Sequence, residues 1–196
     1  MNKRKIAILG STGSIGISTL EIIKKNRSEF IIELLTANNN YKKLIQQSKI
    51  FKPRNVYIKN EFFYERVKKS LKNINTKVYT GKISIDHIVS GKLDYTMSAI
   101  VGIAGLQPTV DAIKISKIIA IANKESIICG WNILSKLIQR YKTTILPVDS
   151  EHFSIMELTK GVNDDEVAEI IITASGGPFL NIPKNNLSTV NPKQAI

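Results

Sequence analysis

The sequence predicts an α/β fold: a doubly wound, mostly parallel sheet, followed by the start of a second α/β domain. Three observations carry this. Short β-branched runs alternate with helically periodic segments from the first residues onward, which is the pattern of βαβ units. The first run closes on a glycine-rich turn that opens a helix. The 196 residues, 43% hydrophobic and 22% charged, are enough to bury a substantial core.

Residues 5–9 read as the first strand, 16–26 as its helix and 30–36 as the second strand, a spacing that fits one right-handed crossover. Residues 41–51 form the next helix, offering Leu44, Ile45 and Ile50 to the sheet, and 55–58 the third strand. A helix over 61–71, a short strand over 77–79 and a more central, apolar strand over 95–100 follow. Residues 105–115 are helical, 118–122 are a strand stopping at Asn123, and 125–141 form a long helix with Trp131, Leu134 and Ile138 on one face. The strand 144–148 ends at Asp149. Residues 152–158 are helical, 161–165 an exposed turn, 168–173 again a strand, and 181–196 polar without a clear pattern. The first domain is therefore placed at 1–148 and the start of the second at 149–196.

The net charge of +12 raises the question of a nucleic-acid partner. Its make-up argues against one. Lysine outnumbers arginine 23 to 5, isoleucine (33) and asparagine (16) are abundant too, and the lysines are scattered through different elements with no interleaved aromatics. The single cysteine, Cys129, excludes an intrachain disulfide framework and suits a reducing compartment; its apolar neighbours suggest a small core residue. The apolar run 6–9 is too short for a signal peptide, and no stretch approaches the roughly 18 apolar residues of a membrane span. The expected location is the cytoplasm, with no membrane or nucleic-acid partner.

The turn Gly10-Ser11-Thr12-Gly13-Ser14-Ile15-Gly16 follows a strand and starts a helix, where a Rossmann-like sheet binds a pyrophosphate. Glycines allow close backbone approach, and the helix N-terminus offers unpaired N–H groups to phosphate oxygens. The spacing is G-x-x-G-x-x-G, and a glycine- and serine-rich helix cap is the plainer alternative. An NAD enzyme places an acid at the end of the second strand. Here that end reads Thr36-Ala37-Asn38-Asn39-Asn40, with Glu33 inside the strand and Lys42 and Lys43 beyond, which favours the 2′-phosphate of NADP.

Two further clusters sit at strand ends. Asn123-Lys124-Glu125 could orient a cofactor and a charged substrate, or could simply cap a helix. Asp149-Ser150-Glu151 brings two carboxylates together with no nearby arginine, so solvent or a divalent cation must neutralise them; their hard oxygens suit Mg²⁺ or Mn²⁺, and an N-cap is the alternative from position alone.

Together, the glycine loop, Ala99-Ile-Val-Gly102 with Ala104-Gly-Leu106, Ala122-Asn-Lys-Glu-Ser126, Leu146-Pro-Val-Asp-Ser-Glu-His152 and Thr173-Ala-Ser-Gly-Gly-Pro-Phe179 resemble the 1-deoxy-D-xylulose 5-phosphate reductoisomerase family in order and spacing, over essentially the whole chain. The resemblance implies NADPH-dependent rearrangement and reduction of 1-deoxy-D-xylulose 5-phosphate, a phosphorylated sugar, to 2-C-methyl-D-erythritol 4-phosphate, with Mg²⁺, Mn²⁺ or Co²⁺. It implies cofactor contacts from Thr12, Gly13, Ser14, Ile15, Asn40, Asn123 and Glu125. Lys124, Ser150 and Ser175 would meet substrate, and Asp149 and Glu151 would be two of three carboxylate metal ligands, Glu151 also counting in the catalytic set. Asn38 departs from the family's usual glycine and Asn39 from a usual basic residue. His87 and His152 receive no role. The resemblance further implies a catalytic second domain, a homodimer at full length, and further site residues beyond residue 196, so that this length is expected to bind NADPH weakly to moderately and turn over negligibly. The alternative is a non-catalytic NADP-binding sensor or scaffold.

Overall fold

In the computed structural model, which describes residues 3–172 and 177–194, the chain opens with β1 (Arg4–Leu9), α1 (Ser14–Lys25) and β2 (Phe30–Ala37). It continues through α2 (Tyr41–Phe51), β3 (Asn55–Ile58), α3 (Tyr64–Ser70), β4 (Lys77–Tyr79), a single turn α4 (Ile85–Ile88) and β5 (Leu93–Ser98). Then come α5 (Leu106–Ile115), β6 (Ser116–Ile121), α6 (Lys124–Tyr141), β7 (Thr144–Pro147) and α7 (Ser150–Leu158). The seven strands form one sheet in the order β4-β3-β2-β1-β5-β6-β7. Every pairing is parallel.

The strands are apolar on both faces because both are covered. Ile6 and Ile8 of β1 and Leu35 of β2 pack with Leu20 and Ile23 of α1 and Leu44 of α2. Ala7, Leu9 and Leu34 face the other way, onto Ala112 and Ile113 of α5 and Leu134 of α6. Successive side chains thus enter opposite layers, the doubly wound arrangement the sequence predicts. Chain order reverses between β1 and β5, which puts a ligand crevice beyond their C-terminal ends.

The β1–β2 ladder skips one residue: Ile6 pairs with Ile32 and Ala7 with Leu34. Glu33 is the residue passed over. Its side chain, 2% exposed, meets Arg54 at 2.7 Å, and its carbonyl accepts from Asn55 Nδ2 at 3.0 Å.

The chain divides into two compact units, Met1–Phe153 and Ser154–Ile196. The second holds the end of α7 and short 3₁₀ turns at Asp164–Glu166, Lys184–Thr189 and Pro192–Gln194. The strand predicted over 168–173 does not form in its described part: residues 168–172 carry no ladder, and Ile170, Ile171 and Ile172 are 55%, 73% and 61% exposed. An apolar β-branched run becomes a strand only where a neighbour accepts its hydrogen bonds, and among the described residues this unit has none to offer. Three smaller expectations also change. Cys129 is exposed, not a core residue. The buried stripe of α6 runs through Ser126, Gly130 and Leu134, leaving Trp131 51% exposed. Ile50 of α2 is 45% exposed, while Leu44 is fully buried.

Candidate nucleotide and carboxylate sites

The glycine loop is held from below so that its upper side is free for a ligand. Gly10 (φ +80°) donates its N–H to Thr36 Oγ1 at 2.9 Å, and the Ser11 N–H bonds Thr36 O at 2.9 Å. Ser11 is buried and exchanges hydrogen bonds with Gln47 of α2, Oγ to Oε1 at 2.8 Å and Nε2 to the Ser11 carbonyl at 2.7 Å. A Cβ on Gly16 would stand 2.5 Å from Gly10 O, and one on Gly10 would stand 2.7 Å from Ala99 O. Only glycine lets helix, loop and the β5 end approach this closely. Gly13 caps α1 without a side-chain bond. The first amides of α1, from Ser14, Ile15 and Gly16, therefore keep the anion-attracting character of a helix N-terminus.

A cavity of about 700 Å³ opens at these strand ends, within the range of roughly 300–1,000 Å³ usual for small-molecule sites. Gly10, Thr12 and Gly13 form one wall, and Ala99, Ile100 and Val101, from the end of β5, another. Asn38, at the end of β2, and Lys59, just after β3, stand together on a third side. Tyr57 also lines it and donates its hydroxyl to Gly81 O at 2.8 Å. Burial, helped by the Glu61 carboxylate, pushes this phenol above its ordinary range, so it acts as a neutral donor. Gln107 and Asp111 of α5 line the cavity too, with Gln107 Nε2 bonding Asp111 Oδ1 at 2.9 Å. Lys114 ties Asp111 to Asp86 of α4, at 3.3 Å from each. Partial burial alone would lower the Lys114 pKa, but the bonds and charges of the two aspartates raise it.

Thr12 and Gly13 thus stand on the cavity wall, while Ser14 and Ile15 lie in the exposed first turn of α1. Asn40 is placed differently. Its Oδ1 accepts the Lys43 N–H at 3.2 Å as the N-cap of α2, and with Lys42 and Lys43 it lines a separate outer groove. The two lysines expected to meet a 2′-phosphate are carried away from the cavity by the turn of α2. The cavity lysines, Lys59 and Lys82, and the polar pair Gln107 and Asp111 were missed by sequence reasoning. For Lys59 a signal existed, since it directly follows a parallel strand; the loop carrying Lys82 had none.

Asn123, 2% exposed, has every amide atom engaged. Oδ1 caps α6 by accepting the Ser126 N–H at 2.9 Å. Nδ2 donates to Gly102 O at 2.8 Å and to Ile100 O. Its contribution is to fasten the β5 loop, a wall of the cavity, onto the start of α6. Lys124 is exposed and Glu125 half-buried in the first turn that follows.

Asp149 ends β7. Its Oδ1 accepts the His152 N–H at 2.9 Å and lies 2.6 Å from His152 Nδ1, a contact that needs the proton on Nδ1. Partial burial would raise the Asp149 pKa, but these bonds and the imidazole hold it below the ordinary carboxylate range. Glu151 is exposed and accepts from Ser150 Oγ at 3.1 Å. Among the described residues no three His, Cys, Asp or Glu side chains gather as a metal cluster. Ser175 lies outside the described residues.

The family model for 1-deoxy-D-xylulose 5-phosphate reductoisomerase matches residues 6–130. The chain belongs to this reductoisomerase family. The model for the family's C-terminal domain matches residues 145–196. The reductoisomerase of Pelagibacter ubique is 50% identical over 195 residues, which are 98% of this chain and 50% of that protein. That of Bacteroides fragilis is 42% identical over 197 residues, covering 100% of this chain and 51% of the relative. The chain thus spans about half the length of the curated reductoisomerases it matches. Among solved structures, the Zymomonas mobilis reductoisomerase in complex with NADPH superposes with a TM-score of 0.83 at 37% identity, over 99% of this chain and 51% of that one. A reductoisomerase in complex with NADPH, fosmidomycin and magnesium gives 0.79 at 30% identity, over 98% of this chain and 50% of that one.

Proposed function

We propose that this chain is the nucleotide-binding part, with the first metal ligands, of an enzyme that isomerises and reduces 1-deoxy-D-xylulose 5-phosphate to 2-C-methyl-D-erythritol 4-phosphate with NADPH. The observation that carries the reading is the glycine-loop helix terminus facing a cavity of about 700 Å³ at the sheet's switch point, in a chain of this family. Thr12 and Gly13, with the first amides of α1, hold the pyrophosphate. Asn123 acts indirectly, by positioning the cavity wall, and Glu125 faces the nicotinamide side. Lys124, Ser150 and Ser175 bind the phosphorylated sugar. Residues 1–148 serve the cofactor, and 149–196 begin the catalytic domain of a cytoplasmic homodimer with no nucleic-acid partner. No helix among the described residues is long and apolar enough to cross a membrane.

The donor set at 149–151 fits a divalent cation in part. Two carboxylates supply hard oxygens suited to Mg²⁺ or Mn²⁺, and both His152 contacts use Asp149 Oδ1 alone. Asp149 and Glu151 would hold the ion together with a ligand from outside the described residues. When bound, it supplies Lewis-acid polarisation of carbonyl and hydroxyl oxygens. His152 orients the Asp149 carboxylate for that task. The test is a protein carrying this chain at full family length, mixed with NADPH, Mn²⁺ and 1-deoxy-D-xylulose 5-phosphate. Stoichiometric loss of NADPH absorbance is expected, and no substrate-dependent loss would refute the assignment.

A further inference from the structure

We propose that Lys59, with Lys82 lining the same cavity, reads the 2′-phosphate of the dinucleotide, so that preference for NADP over NAD is set from the ends of β3 and β4, not from the helix that follows β2. The inference rests on the nucleotide reading of the cavity.

In a sheet of this kind the ribose 2′ substituent lies at the end of the second strand. Here that position is Asn38, on the cavity wall. The turn itself, Asn38-Asn39-Asn40, carries no acid to repel a phosphate. Glu33 is 2% exposed and paired with Arg54 at 2.7 Å, so it cannot reach the end of its own strand. A phosphate monoester carries nearly two negative charges and requires a cation. Lys42 and Lys43 line the outer groove of α2 instead, and Lys114 is committed to Asp86 and Asp111.

Lys59 is fixed beside Asn38 by the backbone. Its N–H bonds the carbonyl of Ala37 at 2.9 Å, and the next N–H, from Asn60, bonds that of Asn38 at 3.2 Å. Asn60 Nδ2 adds a bond to Asn39 Oδ1 at 2.9 Å. The ends of β2 and β3 are thereby stitched together with Lys59 on the cavity wall. The loop bearing Lys82 is held to the same strand, by Thr80 Oγ1 to Ile58 O at 2.7 Å and Tyr57 Oη to Gly81 O at 2.8 Å. Neither lysine makes an ion pair among the described residues. Each supplies a flexible ammonium, a point charge suited to phosphate without the geometric demands of a guanidinium.

The test measures binding of NADPH and NADH, and displacement by 2′,5′-ADP and 5′-ADP, for the chain and its variants. Both lysines are exposed, so the variants fold, and an unchanged urea midpoint checks this. Lys59→Met should cut the NADPH-to-NADH preference about tenfold or more, with NADH affinity held within about twofold. Lys59→Arg should restore most of the preference, and Lys82→Met should cause a smaller loss. The Lys42→Met/Lys43→Met double variant should keep the wild-type ratio. If Lys59→Met leaves the ratio within about twofold of wild type, the proposal is overturned whatever Lys82→Met does. Equal wild-type affinity for the two nucleotides overturns it while leaving the nucleotide reading intact. A wild-type chain that binds neither nucleotide removes the underlying reading itself.

Discussion

Two residues make the cavity possible by opposite means, one by lacking a side chain and the other by using all of it. Gly16 brings α1 against the loop, where a Cβ would meet Gly10 O at 2.5 Å and Ser11 Cα at 2.6 Å. Backbone cannot yield as a flexible side chain can, so Gly16→Ala should cost about 1–3 kcal/mol in urea unfolding and weaken NADPH binding by opening the loop. Asn123→Ala removes an N-cap and two buried donors, and should cost about 2–4 kcal/mol. Asn123→Asp is the sharper probe. It keeps the cap on Ser126 but turns carboxylate oxygen toward the Ile100 and Gly102 carbonyls, so it should recover little stability. Wild-type stability in Asn123→Asp would show that the amide donors carry nothing. The dual use of Asn123 explains why its position was legible and its role was not. A residue after a strand and before a helix is a predictable cap, whereas the loop carbonyls it bonds are about twenty residues earlier and meet it only through the β5–β6 pairing.

At the scale of elements, the strands most easily read were those buried on both faces, because a continuous apolar run between helices has few other uses. β1, β2 and β3 formed within a residue of their predicted ends. The run at 168–172 shows the limit. Its composition is equally strand-like, but strand formation depends on a partner that composition does not encode. The β1–β5 junction adds a polar element to this apolar sheet. Asp94 accepts the Lys5 N–H at 2.9 Å and the Lys117 ammonium at 2.7 Å. The Lys117 bond and then the Lys5 bond hold its carboxyl below the ordinary range, against partial desolvation. With the folded pKa depressed, the contribution is complete above the unfolded aspartate value near pH 4 and disappears as pH falls through the folded value. Asp94→Asn should therefore lower stability at neutral pH by no more than about 1 kcal/mol. It should also leave the acid limb of the stability curve shallower than in the wild type. Parallel curves for the two proteins would contradict this.

Across the whole molecule, the cavity proposed for the nucleotide and the carboxylates proposed for the metal share the C-terminal edge of one sheet but lie on different strands. The cavity spans the ends of β1, β2, β3 and β5, whereas Asp149 follows β7. Two strand spacings separate β5 from β7, or about 10 Å in a flat sheet. That is a distance an extended dinucleotide can cross, with its adenosine end over β2 and β3 and its nicotinamide directed toward β6 and β7. Asp149 and Glu151 do not line the cavity, so their charges should matter to the reacting end and not to nucleotide retention. Asp149→Asn and Glu151→Gln, introduced into a protein of full family length, should lower Mn²⁺-dependent turnover by about a hundredfold or more. Nucleotide affinity, measured without metal, should stay within about twofold of wild type. The converse holds for Lys59→Met, which should weaken NADPH binding while turnover at saturating NADPH is retained. If instead the carboxylate variants lost NADPH binding in parallel with turnover, the two sites would be one, and the separation of cofactor cavity from metal carboxylates along the sheet edge would have to be abandoned.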